Sequence, residues 1–324
     1  MIADTGRWAT IPDYIHGITR AIWEDRQVAV GLAQYYAADV IVRAATGVTI
    51  GNAGVVASTL ATLHQFPDRQ LVGEDVVAED HGDGSFLSSH RLISVMRHHG
   101  DGAFGRGSGA LVKSRIIADC VVVGAKVVEE WLVRDGTAFA AALGMLPADL
   151  AALLVAADRS TGGRPQYFTP ARDVVGRYQP RLSDDPAARN YALGWRRIWG
   201  EAEPATIRLL YAPGAAVTLP GGGCANGWPE IDRFVIGYLA ALPGAVFRIH
   251  SLTVNRAPDH PVRIAMRWSL EGTHSGFGAF GPPSGAPVYI MGINHAQMWG
   301  KHVMAEWILV DEVAIHKQCL DHSV

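Results

Sequence analysis

One pattern occurs twice in this chain, and that repetition constrains the fold more than any other feature. Residues 100–109 read GDGAFGRGSG, and residues 276–285 read GFGAFGPPSG. The displacement that superimposes these two segments also lays 90–135 over 266–311 without a gap. Identical pairs include Arg91 and Arg267, His98 and His274, Phe104 and Phe280, Glu130 and Glu306, Trp131 and Trp307, and Asp135 and Asp311. Matches of rare residues at that density mark an internal duplication. A chain of 324 residues has room for two domains of ordinary size.

Both glycine segments carry the spacing G-x-G-x-x-G, at Gly100, Gly102 and Gly105 and again at Gly276, Gly278 and Gly281. A dinucleotide loop needs a helix opening at the third glycine and an acidic residue on a second strand. Here a Val- and Ile-rich, strand-like run follows Gly105, and Pro282 and Pro283 follow Gly281. The glycines are therefore expected to shape a loop between two antiparallel strands, with no phosphate on it.

Helices precede strands in each copy. In the first, helical patterns cover 12–24, 26–37 and 52–66, with a strand at 39–44 between them. Four strands follow near 70–80, 85–97, 110–122 and 126–134, then a short helix at 136–143. The second copy repeats the order, with helices near 187–200, 203–212 and 228–242 and a strand at 215–219. Its four strands fall near 246–256, 262–273, 286–298 and 302–310. This order predicts an α+β class, two tandem cone-shaped barrels with three helices on a curved, mainly antiparallel sheet. The expected domains are 1–145 and 186–324, joined by a connector at 146–185 whose segment DLAALLVAADR docks as a helix.

With 49% hydrophobic and 18% charged residues, each half can bury a core. A net charge of −3, a pI near 6.5 and no basic stripe argue against nucleic acid. No apolar run approaches the ~20 residues of a membrane span. The polar start MIADTGRWATIPDY lacks a signal-peptide core, and Cys120, Cys224 and Cys319 lie far apart. A cytoplasmic protein with reduced thiols is expected.

The block RWSLEGTHSG, FGPPSGAPV and INHAQMWGKHVMAEWILVDE resembles the SnoaL-like polyketide cyclases, of the nuclear-transport-factor-like superfamily. FPD at 66–68, HHGD and VVEEWLVRD carry the same resemblance in the first copy. It spans roughly 12–143 and 187–318 and leaves out the connector. What it implies is a cofactor-independent cyclase or isomerase, closing rings by aldol condensation in an apolar cavity, with no metal. It also implies a hydrophobic small-molecule ligand and an acid/base aspartate directly after the last strand's tryptophan. Those positions are Leu132 and Ile308 here, which cannot exchange a proton. The superfamily also contains binding modules, so a non-catalytic ligand-binding protein is the alternative.

Alternation sets Glu306, Ile308 and Val310 on one strand face and Trp307, Leu309 and Asp311 on the other. Glu306 and Glu130 are the nearest replacements for the missing acid. Each could instead pair with an arginine such as Arg267 or Arg91. His295 and, in the first copy, Asp119 are the second members of the expected acid/base pairs. The alternative for both is a hydrogen-bonded structural residue. His90, Asn294, Arg267, Trp268, Tyr289, Tyr211 and Trp228 are candidate pocket residues. Asp135 and Asp311 are expected to cap short helices, and His98 and His274 to fix the glycine loops. The copies are expected to pack as an intramolecular counterpart of a homodimer, with a further homodimer left open.

Overall fold

The computed structural model describes residues 8–322. The first unit opens with α1 (Ile11–Thr19), where Thr10 Oγ1 accepts the Asp13 amide at 3.2 Å and Pro12 occupies the first turn. Its apolar stripe buries Tyr14, Ile15 and Ile18. A π-helical turn, Arg20–Glu24, ends the helix. Then come α2 (Val28–Tyr35), β1 (Tyr36–Ala44), β2 (Gly47–Ile50) and α3 (Gly51–Gln65). The long strands β3 (Gln70–Asp80), β4 (Ser85–Arg97), β5 (Leu111–Val123) and β6 (Lys126–Arg134) follow, then α4 (Gly136–Ala142).

The helix α5 (Pro147–Ser160) leads into the second unit, which begins with α6 (Pro186–Trp195). A second π-helical turn, Arg196–Gly200, repeats the first at the displacement of the sequence duplication. Next are α7 (Ile207–Leu210), β7 (Tyr211–Thr218), β8 (Cys224–Asn226) and α8 (Trp228–Ala241). The unit closes with β9 (Val246–Asn255), β10 (Val262–Thr273), β11 (Pro287–Trp299), β12 (His302–Val310) and α9 (Glu312–His322).

The chain is thus α+β, with two six-stranded sheets of order β2-β1-β6-β5-β4-β3 and β8-β7-β12-β11-β10-β9. Among the named strands of the described residues, β1 pairs with β6 and β7 with β12 in parallel, and the other neighbours pair antiparallel. The sequence reading lacks β2 and β8, whose four and three residues are too short to show alternation. Both glycine segments are strand-connecting loops, β4 to β5 and β10 to β11. Gly102 and Gly105 exchange two backbone bonds of 2.9 Å, and Gly105 sits at φ 89°, a conformation that favours glycine. His98 Nδ1 meets Ser108 Oγ at 3.2 Å, and His274 Nδ1 meets Ser284 Oγ at 3.1 Å, tying each loop to its strand.

One face of each sheet carries its own helices, and the other faces the opposite sheet. Leu87, Ile117, Val121, Trp131 and Val133 of the first unit share a buried cluster with Met291, Ile293 and Leu309 of the second. Arg267 lies 3.8 Å over the Trp131 ring, and Arg91 lies 3.6 Å over Trp307. The two arginines are duplicates of one another, as are the two tryptophans, so the contact is reciprocal in the manner of an isologous interface. The connecting segment is tied to both units. Phe168 donates to the Ala45 carbonyl at 3.0 Å, Ser183 to Leu252 at 2.9 Å, and α5 packs on α9. No single helix among the described residues is long and apolar enough to cross a membrane.

Candidate active site

Period two places Glu130, Leu132 and Arg134 on the helix-facing side of β6. Register sets Cys120, Ala118 and Ile116 of β5 beside them, then His90 and Leu92 of β4 beside Ala118 and Ile116. With Ile15, Ile18, Trp23, Tyr36 and Val55, these residues enclose a cavity of about 490 Å³. Leu150, Leu154 and Gln166, together with Asp311, Val313 and Lys317 of the second unit, complete its wall.

Glu130 is 7% exposed, and Tyr36 donates its hydroxyl to Oε2 at 3.0 Å. Burial raises the Glu130 pKa, opposed by the Tyr36 hydrogen bond and the Arg134 charge. Burial pushes His90 down to about 4, so its ring is neutral at pH 7 and can donate from one nitrogen only. Its Nδ1 has no hydrogen-bond partner among the described residues. A protonatable carboxyl, a phenol and a neutral imidazole therefore share one apolar chamber.

Two arginines lining this cavity are absent from the sequence reading. Arg69 precedes β3 and donates Nε to Ser94 Oγ at 3.2 Å. Arg134 follows Glu130 at i+4 on the same strand face, a spacing that could have revealed it. Asp135 and Asp311 cap α4 and the start of α9, accepting the Ala138 and Ala314 amides at 2.9 and 3.2 Å.

The equivalent space in the second unit is filled. Trp195 and Trp199 stack at 5.4 Å between centroids, and Trp268 lies 5.4 and 5.9 Å from them. Their duplicates in the first unit are Thr19, Trp23 and Leu92. Trp268 fits only because residue 292 is glycine: a Cβ there would stand 2.2 Å from the indole ring. Its counterpart is Ile116.

Glu306 is wholly buried beneath these rings. Tyr191 and Tyr211 donate their hydroxyls to it, the latter at 2.5 Å, and Asn294 Nδ2 donates at 3.2 Å. Asn294 Oδ1 in turn accepts Trp268 Nε1 at 2.9 Å, and Trp228 Nε1 donates to the Tyr211 carbonyl at 2.9 Å. Neither glutamate pairs with Arg91 or Arg267; tyrosines hold both. Burial pushes Glu306 up to about 7 from an ordinary 4.5, against the hydrogen bonds that lower it. The folded chain then keeps a proton that the unfolded chain releases, so stability declines as pH rises through this window and levels above it. Glu306→Gln is expected to remove up to about 3 kcal/mol of that decline. A flatter urea midpoint between about pH 4.5 and 7 is the result that checks it.

His295, Asp119, Arg267 and Tyr289 are not in either cone. Their strands present them on the opposite face, between the sheets, so Glu306 with His295 and Glu130 with Asp119 do not form pairs. Asp119 Oδ2 accepts Arg267 Nε at 3.2 Å, and His295 Nε2 meets Ser89 Oγ at 2.9 Å. The exchange of aspartate for histidine between the copies now has a structural reading. Arg267 is matched by Asp119, whereas Arg91 takes Glu74, at 2.9 Å, as its carboxylate. Burial and the Arg91 charge hold His295 well below its usual pKa.

No family model matches the sequence, and no curated protein matches it. Solved structures do. IdmH of Streptomyces antibioticus, a proposed polyketide cyclase, is 20% identical over 41% of this chain and 98% of its own, with a TM-score of 0.36. A proposed SnoaL-like polyketide cyclase of Jannaschia sp. CCS1 is 16% identical over 43% and 97%, at 0.35. AclR of Streptomyces galilaeus, a proposed hydroxylase, is 22% identical over 40% and 92%, at 0.36.

Proposed function

We propose that the first unit binds a hydrophobic carbonyl compound and moves a proton on it without a cofactor, using Glu130 as the acid/base group. The second unit is its closed structural partner. One observation carries this reading: Glu130 stands on the wall of the 490 Å³ cavity, whereas Glu306 is sealed beneath three tryptophans.

Glu130 removes a proton from a carbon next to the carbonyl. The charge moves to the carbonyl oxygen, where the neutral His90 ring can donate a hydrogen bond, and the carboxyl returns the proton to the product. A carboxyl whose pKa is raised by desolvation serves both directions near neutral pH. Tyr36 keeps Glu130 in one orientation during the exchange.

The test is deuterium uptake at the acidic carbon of ethyl benzoylacetate in heavy water, followed by proton NMR. Glu130→Gln is expected to lower the protein-dependent rate by about 10²–10⁴-fold. Glu306→Gln is expected to leave it within about twofold, since a residue sealed from the substrate adds nothing to transition-state stabilisation. Equal losses in both variants would place the chemistry elsewhere. A second reading, binding without catalysis, is favoured by the apolar Leu132 on the cavity wall where the resembled family places its acid. Wild-type exchange no faster than Glu130→Gln supports that reading.

A further inference from the structure

The cavity has a cationic end that the proton-transfer chemistry does not use. Arg69 is 8% exposed, and its side chain bonds only to Ser94 among the described residues. Its remaining guanidinium nitrogens are neither bonded nor sealed, and the residue lines the cavity. Arg134 lines the cavity as an exposed residue at the end of β6, and among the described residues it makes no hydrogen bond or ion pair. A guanidinium removed from water without an acidic partner is costly, so Arg69 needs an account, the more so with the Arg134 charge on the same wall.

The nearby acids do not supply it. Asp135 spends its oxygens on the Ala138 and Gly221 amides, and Asp311 caps α9 through Ala314. Asp158 pairs with Lys317 at 3.1 Å. Glu130 lies four residues back along β6, about 13 Å of strand, and shares its carboxylate with Tyr36. Both Glu130 and Asp311 act on Arg134 through their fields without touching it. Arg69 is charged only among like charges: burial, Arg134 and Arg26 together draw its pKa down to about 9. His90, on the same wall, is neutral, and burial holds the Cys120 thiol protonated.

The duplication supplies an independent control. In the second copy the position of Arg69 is taken by Ala245, and that of Arg134 by Val310. The closed cone has neither charge. Both guanidiniums therefore occur only where the chamber is open, flanked by Ser94 and Ser114, which are paired in register.

We infer that the compound held in the first unit carries a carboxylate on an apolar body, and that Arg69 and Arg134 bind that carboxylate. Arg69 and Arg134 grip the anion at one end, while Leu92, Ile116 and Leu132 hold the apolar body toward Glu130. This inference rests on the reading of the first cone as a small-molecule chamber. The two can nonetheless fail separately.

The experiment is calorimetric titration of the full chain with 2-naphthoate and with its neutral counterpart, 2-naphthamide. Wild type is expected to bind the acid at least about tenfold more tightly than the amide. Arg134→Met and Arg69→Met are each expected to cut that preference to about twofold, and Arg134→Lys to restore part of it. Arg134→Met stands alone if Arg69→Met does not fold. Equal binding of acid and amide, both abolished by Leu92→Trp with Ile116→Gly, overturns the anchor and leaves the chamber standing. Binding that survives this double substitution overturns both. Failure of the acid to bind at millimolar concentration overturns the anchor.

Discussion

Thr19→Trp and Leu92→Trp combined with Ile116→Gly is expected to close the first cavity and to lower ligand binding and proton exchange by more than about 100-fold, roughly 3 kcal/mol. The triple substitution installs the arrangement already present in the second copy, where Trp195 and Trp268 meet Trp199 over Gly292. Trp23 already occupies the Trp199 position, and a π-helical turn already carries it. Glycine at 116 is essential, because at 292 even a Cβ would collide with the Trp268 ring. Overpacking costs about 1–3 kcal/mol when a core has no room, but here the new rings enter open volume and bury apolar surface. The melting temperature is therefore expected to stay within about 8 °C of wild type. Exchange that persists at the wild-type rate, and still depends on Glu130, would sink the assignment of the first cone as the working chamber.

The second large effect concerns the sheet interface. Asp119→Ala is expected to destabilise the chain by about 3–5 kcal/mol, because it leaves the Arg267 guanidinium buried without its carboxylate. The side chains are only 3% and 6% exposed, and Arg267 Nη2 already lacks a partner. Burial moves both groups toward neutrality, raising Asp119 and lowering Arg267 despite their attraction. The pair is therefore not a net source of stability over apolar side chains of similar size. Asp119→Leu with Arg267→Met is expected to recover most of the loss, to within about 1 kcal/mol of wild type. Urea unfolding of the single and double variants checks this. An unchanged midpoint for Asp119→Ala, with exchange lost, would instead make Asp119 a participant in the chemistry.

Much of the architecture was legible because the long strands repeat at one displacement, and β3 to β6 and β9 to β12 fall close to the expected ranges. The glutamates were legible too, since alternation separates Glu130 from Trp131 and Glu306 from Trp307. What alternation leaves open is which face meets the helices. Adjacent Asn294 and His295 cannot both share the face of Glu306. Only the pairing of Asn294 with Ile308 and His295 with Trp307 decides between them. Arg69 gave no signal in FPDRQ, because its place in the cavity depends on the bend into β3. The filling of the second cone was hidden for another reason. Trp195 and Trp199 lie one helical turn apart, a spacing common to core pairs, and only the fold brings Trp268 to them from a distant strand.

The reciprocal stacking of Arg91 on Trp307 and Arg267 on Trp131 has a consequence for how such a chain can change. Two separate identical subunits joined through this surface would receive every substitution twice. A tryptophan that stoppered one cone would stopper both, and an arginine added to one would charge both. Joined in a single chain, the halves keep the mating surface in common and are free of that obligation elsewhere. One half can become a solid buttress while the other keeps its hollow.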